Sequence, residues 1–139
     1  MFAISPEIAA HLTDLGISSD RIRVVDNFID VEVVVGAGHG GPDLDTGVHI
    51  GLFGALIRRK RIDVALRGFA GLFSRAGHVD ATLHLAGDGP LRSQLAKLAG
   101  ELGISERVVF HGFLAQPLPL MAKMDIVLLT SDREGVHVL

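Results

Sequence analysis

The stretch from Val48 to Phe73 most constrains how this chain folds, because a strand, a cationic loop and an amphipathic helix follow one another there. The run Val48 to Phe53 is short, largely apolar and closed by Gly54, which is typical of a buried strand. Apolar residues then recur at spacings of three and four, the pattern of one helix face: Ile62, Ala65, Leu66, Phe69, Leu72 and Phe73. Loops after strands of an open α/β sheet bind ligands, so we expect Lys60, in the basic run Arg58 to Arg61, to meet a phosphate.

The rest of the chain continues this alternation of strands and helices. Further strands are predicted at Phe2 to Ile4, Ile22 to Val25, Ala81 to Ala86, Arg107 to Phe110 and Asp125 to Thr130. Helices are predicted from Ser5 to Gly16, from Pro90 to Gly103 and from Pro117 to Met124. Connections too long for hairpins favour an open, mostly parallel, Rossmann-like α/β sheet with right-handed crossovers and helices on both faces.

Parallel strands place the loops that follow them along one edge of the sheet. Four loops should therefore line one crevice: Gly54 to Lys60, Gly87 to Pro90, His111 to Phe113 and Ser131 to Gly135. Gly87 and Gly89 permit a tight turn, with Asp88 or Gly89 as a helix cap and Pro90 at the first helical position.

Composition excludes several functional classes. With 139 residues and 48% apolar residues, the chain has room for one domain with a full core. A net charge of -3 argues against a nucleic-acid surface, and the absence of cysteine excludes disulfides and thiolate metal sites. The histidines show no metal-ligand spacing, so no metal is expected. No apolar run approaches a membrane span, and we expect a soluble, cytoplasmic protein.

The glycine-rich run Gly36 to Pro42 predicts a linker between two parts of the chain. Residues 1–30 are interpreted as a strand-helix-strand remnant of an N-terminal domain, 31–47 as the linker, and 48–139 as the main domain. The abrupt first strand suggests that something precedes residue 1, and the last loop suggests truncation after residue 139.

The order of motifs resembles the C-terminal, donor-binding half of retaining glycosyltransferases of the GT-B fold, in the family 4 group that uses nucleotide-sugar donors. Five segments at about residues 24–135 carry the resemblance, and their agreement is more specific than any one motif. They are Asn27-Phe28-Ile29-Asp30, Gly54-Ala55-Leu56 through Lys60, Gly87-Asp88-Gly89-Pro90, Val108-Val109-Phe110-His111-Gly112 and Ser131-Asp132-Arg133-Glu134-Gly135.

The resemblance implies roles for individual residues. Lys60 would neutralise the donor diphosphate, whose negative charge grows in the transition state, and Glu134 would lie near the transferred sugar. The other residues implied to bind the donor are Gly54, Arg58, Arg59, Gly87, Gly89, His111, Phe113, Leu114, Ser131 and Gly135. Three positions depart from the family pattern: its loop Arg falls on Ala55, the Gly after its Lys is Arg61, and His137 stands where it often has Pro or Gly.

The implied function is transfer of a sugar from a UDP- or GDP-linked donor to a sugar, lipid or small-molecule acceptor, without metal or other cofactor. Peripheral membrane association of the full-length protein is compatible with it, and nucleic acid is not an expected partner. The family's second Glu would fall three positions past Leu139, so the 139-residue chain is expected to be inactive alone.

Two other functions remain open: a nucleotide-sugar epimerase of similar fold, and a non-enzymatic nucleotide-sugar-binding module. A NAD-dependent dehydrogenase is disfavoured, because Gly51 and Gly54 do not make a Gly-x-Gly-x-x-Gly fingerprint.

Each proposed site residue also has a purely structural interpretation. Lys60 belongs to a run of cations that could be solvated, and Glu134 could simply begin a helix. Gly87 and Gly89 favour turn geometry over ligand contact. Ser131 could only cap the next helix, and His111 could be a hydrogen-bonded residue at a strand end.

Overall fold

The computed structural model describes residues 1–25, 36, 41–76 and 79–132. Residues 1–25 belong to one compact unit and residues 41–132 to a second. Several predicted features lie outside the described residues: the Asn27 to Asp30 motif, most of the glycine-rich linker, and Glu134 and Gly135. The division into residues 1–30, 31–47 and 48–139 stays a prediction.

The first unit is a parallel pair of short strands joined by a helix. Strands β1 (Phe2–Ala3) and β2 (Arg23–Val24) pair in parallel, and helix α1 spans Pro6–Asp14 between them. The Ser5 hydroxyl accepts a hydrogen bond from the Ile8 N–H at 3.3 Å, with proline at the start of the helix. Side-chain capping of this kind satisfies one of the free amides of the first turn, so the predicted helix start is confirmed.

The second unit contains a four-stranded parallel sheet. Its elements are β3 (Val48–Phe53), α2 (Ile62–Ala76), β4 (Ala81–Ala86), α3 (Arg92–Glu101), β5 (Val108–Gly112), α4 (Leu118–Met121) and β6 (Ile126–Val127). The strand order is β5-β4-β3-β6, and every neighbouring pair is parallel. The predicted parallel α/β fold is therefore confirmed, and the carboxyl ends of the strands share one edge.

Strand register puts the apolar side chains of β3 and β4 on one face. Ile50 is opposite Leu83 and Leu52 is opposite Leu85, and all four are buried in one hydrophobic core. Because side chains alternate across a strand, the intervening residues occupy the other face. Helices α2 and α3 contribute the remaining large core residues: Ile62, Leu66, Phe69 and Leu95.

One residue of the predicted α2 stripe does not reach the core. Leu72 is 39% exposed, whereas Leu66 is fully buried. Successive helical residues are about 100° apart, and Leu72 therefore lies at the margin of the face that Phe69 and Phe73 occupy.

Several predicted boundaries are wrong, and two of them are the most informative. Helix α3 begins at Arg92 rather than Pro90, with no side-chain cap. The Leu91 N–H donates instead to the Leu56 carbonyl at 3.1 Å, which holds the preceding turn outside the helix. The predicted strand from Asp125 to Thr130 is reduced to the two residues of β6, although Leu128 still donates to the Gly51 carbonyl at 2.8 Å.

Within the part of the chain that the structure describes, none of the helices combines the length and apolarity needed to cross a bilayer.

The difference between Leu66 and Leu72 gives a test of this core. Leu66→Ala should lower the free energy of unfolding by about 3 kcal/mol, because it leaves a cavity among close-packed residues. Leu72→Ala, on the same helix, should cost less than about 1 kcal/mol, as is usual near the surface. Denaturant unfolding measures both, and equal losses would contradict this packing.

Candidate functional site

The loops after β3 and β4 meet along their backbones at the carboxyl edge of the sheet. The Gly54 N–H donates to the Ala86 carbonyl, and the Leu56 N–H donates to the Asp88 carbonyl, both at 2.9 Å. The Gly87 N–H donates across to the Gly112 carbonyl of β5 at 2.7 Å. These main-chain hydrogen bonds join three of the four predicted loops, and the fourth is joined to the first by the Asp132 N–H, which donates to the Arg59 carbonyl at 3.0 Å.

Glycine is required where these loops touch. Gly87 has φ +145°, and a Cβ placed on it would lie 1.9 Å from the Gly54 carbonyl oxygen. A Cβ on Gly89 would lie 2.6 Å from the Leu56 carbonyl oxygen. Both distances are far below van der Waals contact, so these glycines have a structural reason to be there whether or not a ligand also meets them.

The cationic loop turns its lysine toward the sheet edge. Arg58–Lys60 forms one 3-10 turn, and Lys60 is only partly exposed whereas Arg58 and Arg59 are exposed. A Cβ built on Gly54 would lie 3.6 Å from Lys60 Cε and 3.9 Å from Nζ. The ammonium group therefore lies beside Gly54, where β3 ends.

Arg61 ends this turn in a left-handed conformation. Its φ of 46° makes it the one described residue other than glycine with positive φ. Side chains with a Cβ adopt this region at a cost of about 1 to 2 kcal/mol, which accounts for the glycine expected at this position from the resemblance.

Arg61 forms ion pairs with two carboxylates. The Arg61 guanidinium lies 3.3 Å from the Asp63 carboxylate and 3.0 Å from the Asp132 carboxylate, and the Asp63 and Asp132 hydrogen bonds raise its pKa. Beside them, the Thr130 hydroxyl donates to the Lys60 carbonyl at 2.8 Å, and the Asp132 N–H donates to the Arg59 carbonyl at 3.0 Å. These contacts hold the segment after β6 against the cationic loop.

A cavity of about 420 Å³ opens at the carboxyl edge. It is lined by Phe53, Gly54, Ala55, Ala86, Gly87, Asp88, Phe113, Leu114 and Pro117. Among the residues predicted to bind a donor, it brings together Gly54, Gly87, Phe113 and Leu114. Lys60 is not a lining residue, but its ammonium lies beside Gly54, which lines the cavity.

Other predicted residues lie elsewhere. Arg58 and Arg59 line a separate cavity of about 880 Å³ beside α3, together with Arg61 and Asp132. The Ser131 hydroxyl is buried and meets no hydrogen-bond partner among the described residues. Glu134 and Gly135 are outside the described residues, so their roles stay predictions.

Three histidines form a continuous hydrogen-bonded row across β3, β4 and β5. His49 Nδ1 lies 3.0 Å from His84 Nε2, and His84 Nδ1 lies 2.9 Å from His111 Nε2. At the other end, His49 Nε2 lies 3.0 Å from the Asp45 carbonyl oxygen. His111 is thus a hydrogen-bonded residue at a strand end, one of its two expected roles.

Sequence reasoning missed this row. The apolar patterns that predict strands at Val48 to Phe53 and Ala81 to Ala86 contain His49 and His84, but the third predicted strand ends at Phe110, just before His111. The available signal was one histidine in or directly after each of three successive predicted strands. His49 and His84 are 6% and 3% exposed. Among the described residues, no group of three histidine or acidic side chains is placed to hold a metal ion.

Burial keeps the centre of the row uncharged. Burial, followed by the positive charge that His111 and His49 can carry, lowers the pKa of His84 to about 4. Burial also lowers the pKa of His111. Both rings are therefore neutral near pH 7.

Comparisons with known proteins agree on one family. The model of the family described as "Glycosyl transferases group 1" matches residues 47–138. The chain is 33% identical over 137 residues to the lipopolysaccharide core biosynthesis glycosyltransferase LpsD of Rhizobium meliloti (strain 1021), covering 96% of this chain and 37% of that protein. It is 36% identical over 76 residues to the N-acetyl-alpha-D-glucosaminyl L-malate synthase of Bacillus anthracis, covering 55% of this chain and 19% of that enzyme.

Solved structures show the same fold. The lipopolysaccharide outer core galactosyltransferase WaaB, in its apo form, superposes with a TM-score of 0.66 at 27% identity, covering 96% of this chain and 37% of that one. Anabaena HepE in complex with UDP gives 0.70 at 22% identity, covering 95% and 38%. These neighbours are GT-B glycosyltransferases, and the chain spans little more than a third of their length.

The contact between the two loops predicts a large cost for enlarging Gly87. Gly87→Ala combines positive φ with a clash against Gly54, and should lower the free energy of unfolding by about 3 kcal/mol or more. Gly103→Ala is a matched control, because Gly103 also has positive φ, +70°, but open space at its Cβ position. It should cost only about 1 to 2 kcal/mol, and urea unfolding would contradict the loop contact if both variants lost the same amount.

The lowered pKa of His84 predicts acid sensitivity. Between its ordinary value of 6.5 and its folded value of about 4, the unfolded chain binds the proton that the folded chain does not. The free energy of unfolding should therefore fall as pH drops through that window, by up to about 3 kcal/mol from this one group.

Denaturant midpoints at pH 7.5 and 4.5, in the parent and in His84→Gln, isolate this contribution. Glutamine keeps one donor and one acceptor but does not titrate. If the variant loses as much stability on acidification as the parent does, the folded pKa of His84 is not depressed.

Proposed function

Since the chain belongs to the glycosyl transferases group 1 family, we propose that the full-length protein transfers a hexosyl group from a UDP- or GDP-linked donor with retention of configuration. The acceptor is a sugar, lipid or small molecule, and the reaction needs no divalent metal. The protein acts in the cytoplasm, where peripheral association with a membrane is compatible with a lipid-linked acceptor.

The observation that carries this proposal is the position of Lys60. Its ammonium lies beside Gly54 at the end of β3, next to the cavity of about 420 Å³. A departing nucleoside diphosphate gains negative charge in the transition state, and a fixed cation at that point stabilises it more than it stabilises the bound donor. The surrounding backbone is held by hydrogen bonds, so little reorganisation is needed when the charge develops.

The relatives support a nucleotide-sugar donor. Anabaena HepE has been crystallised with UDP and with UDP-glucose, and WaaB is a galactosyltransferase by name. LpsD and LpsE of Rhizobium meliloti are lipopolysaccharide core glycosyltransferases, which makes a saccharide acceptor the leading choice for this protein.

Within this proposal the remaining site residues divide by position. Gly54, Gly87, Phe113 and Leu114 enclose the donor, and Glu134 approaches the transferred sugar. Gly89 shapes the turn, while Ser131 and Gly135 shape the start of the segment that carries Glu134. Arg58 and Arg59 line the cavity of about 880 Å³. They contact the donor or the acceptor only if that molecule extends beyond the cavity of about 420 Å³.

A second candidate is a binding module without catalysis. Ala55 lines the cavity where the family resemblance places an arginine, so this site has one fixed cation fewer. Nucleotide binding without sugar transfer by the full-length protein would favour this candidate. Product analysis separates both from an epimerase, which changes the donor sugar without an acceptor.

The proposal predicts weaker nucleotide binding when Lys60 is truncated. Lys60→Ala removes a charge-assisted contact to phosphate, and should raise the dissociation constant for UDP or GDP at least tenfold. Lys97→Ala is the control, because Lys97 is an exposed lysine of α3 that pairs with Glu101. Calorimetric titration of the full-length protein with UDP, GDP and ADP measures the effect. Unchanged binding in Lys60→Ala would refute the phosphate role.

A further inference from the structure

The histidine row lies on the face of the sheet that carries the cavity. His49 and Phe53 are four residues apart in β3, and His84 and Ala86 are two apart in β4, so each pair shares a face. Phe53 and Ala86 both line the cavity of about 420 Å³, as does Phe113, two residues beyond His111. The row therefore lies on the same face of the sheet as these lining residues, and none of its three histidines lines the cavity itself.

The hydrogen bonds of the row have only one direction when the rings are neutral. The Asp45 carbonyl can only accept, so His49 Nε2 carries the hydrogen and its Nδ1 accepts. His84 must then donate from Nε2 to His49 and accept at Nδ1. His111 in turn donates from Nε2 to His84, which leaves its Nδ1 without a hydrogen.

The outer nitrogen of His111 is directed away from β4. The two nitrogens of an imidazole point in nearly opposite directions, and Nε2 is engaged by His84. Within the described residues, no hydrogen bond to His111 Nδ1 is present. His111 is partly exposed, so a ligand can approach its ring.

We infer that His49 and His84 are positioning residues that hold His111 as its Nε2–H tautomer, so that Nδ1 accepts a hydrogen bond from the ring N–H of the donor's nucleobase. This inference rests on the proposed function. Phosphate oxygens and an unprotonated ring nitrogen are both acceptors, so the diphosphate is not the group that His111 meets. The nucleobases of UDP and GDP both carry a ring N–H donor.

The spacing of the strands supports this division of the ligand. Lys60 stands at the end of β3 and His111 on β5, two strands away. Neighbouring strands are about 4.8 Å apart, so the axes of β3 and β5 are about 10 Å apart. That distance allows the phosphates to lie at β3 and the base at β5.

Packing alone does not explain the row. Three apolar side chains would fill these positions without needing partners, whereas buried imidazoles cost free energy unless every buried nitrogen is satisfied. Here every hydrogen bond of the row is donated in the direction of the Asp45 carbonyl, from His111 to His84, from His84 to His49 and from His49 to Asp45. The acceptor at Asp45 therefore determines the tautomer of His111.

The direction of the row is measurable in the parent protein. With ¹⁵N-labelled histidine at neutral pH, nuclear magnetic resonance should place the hydrogen on Nε2 of all three rings. Nitrogen-nitrogen couplings through the hydrogen bonds should link His84 Nε2 to His49 Nδ1 and His111 Nε2 to His84 Nδ1. A hydrogen on Nδ1 of His84 or His111 would overturn the inference.

The hydrogen bond between the base and His111 Nδ1 is tested by removing its donor from the ligand and, separately, its acceptor from the protein. The full-length parent should bind its preferred nucleotide, UDP or GDP, about tenfold more tightly than the analogue methylated at that ring nitrogen, N3 of uracil or N1 of guanine. His111→Phe should bind both forms with the weaker affinity. His84→Gln should retain the preference, since glutamine can donate to His49 and accept from His111, and His84→Leu should reduce it.

The outcomes separate the two proposals. If the parent binds neither UDP nor GDP, the proposed function fails and the inference fails with it. If the parent binds a nucleotide and its methylated analogue equally, the inference alone is overturned. His11→Phe serves as the control because His11 is an exposed histidine of α1, and it should keep the parent's preference.

Discussion

Backbone contact between the loops after β3 and β4 is the constraint on which the rest of the site depends. These two loops share hydrogen bonds from Gly54 to Ala86 and from Leu56 to Asp88, and the approach is possible only because Gly87 has no side chain. The contact holds the backbone at Gly54, beside which the Lys60 ammonium lies. The hydrogen bond from Gly87 to Gly112 adds β5 to this contact, so the ends of three strands form one surface.

Periodicity was sufficient to predict most of the fold. The strand from Val48 to Phe53 and the helix from Ile62 follow from apolar spacing that local burial confirms. The predictions for Leu72 and for the start of α3 were wrong for a different reason. The exposure of Leu72 depends on which part of α2 packs against the core, and the start of α3 depends on the hydrogen bond from Leu91 to the Leu56 carbonyl. Neither contact can be read from local sequence.

The site was only partly predictable. The glycines and Lys60 were found because turn chemistry and a cationic loop leave a local pattern. The histidine row left none, since His49, His84 and His111 lie 35 and 27 residues apart and become neighbours only through strand register. The left-handed conformation of Arg61 was equally hidden, although the resemblance marked that position as one where glycine was expected.

The ion pairs of Arg61 have a consequence for how this edge responds to its solvent. Arg61, Asp63 and Asp132 are all substantially exposed, and attraction between such charges is screened over about 10 Å at 0.1 M ionic strength. A glycine would accept the same backbone turn in any buffer. Here exposed ion pairs stabilise the strained turn, and added electrolyte weakens their attraction, so the free energy of this turn depends on ionic strength whereas that of a glycine turn would not.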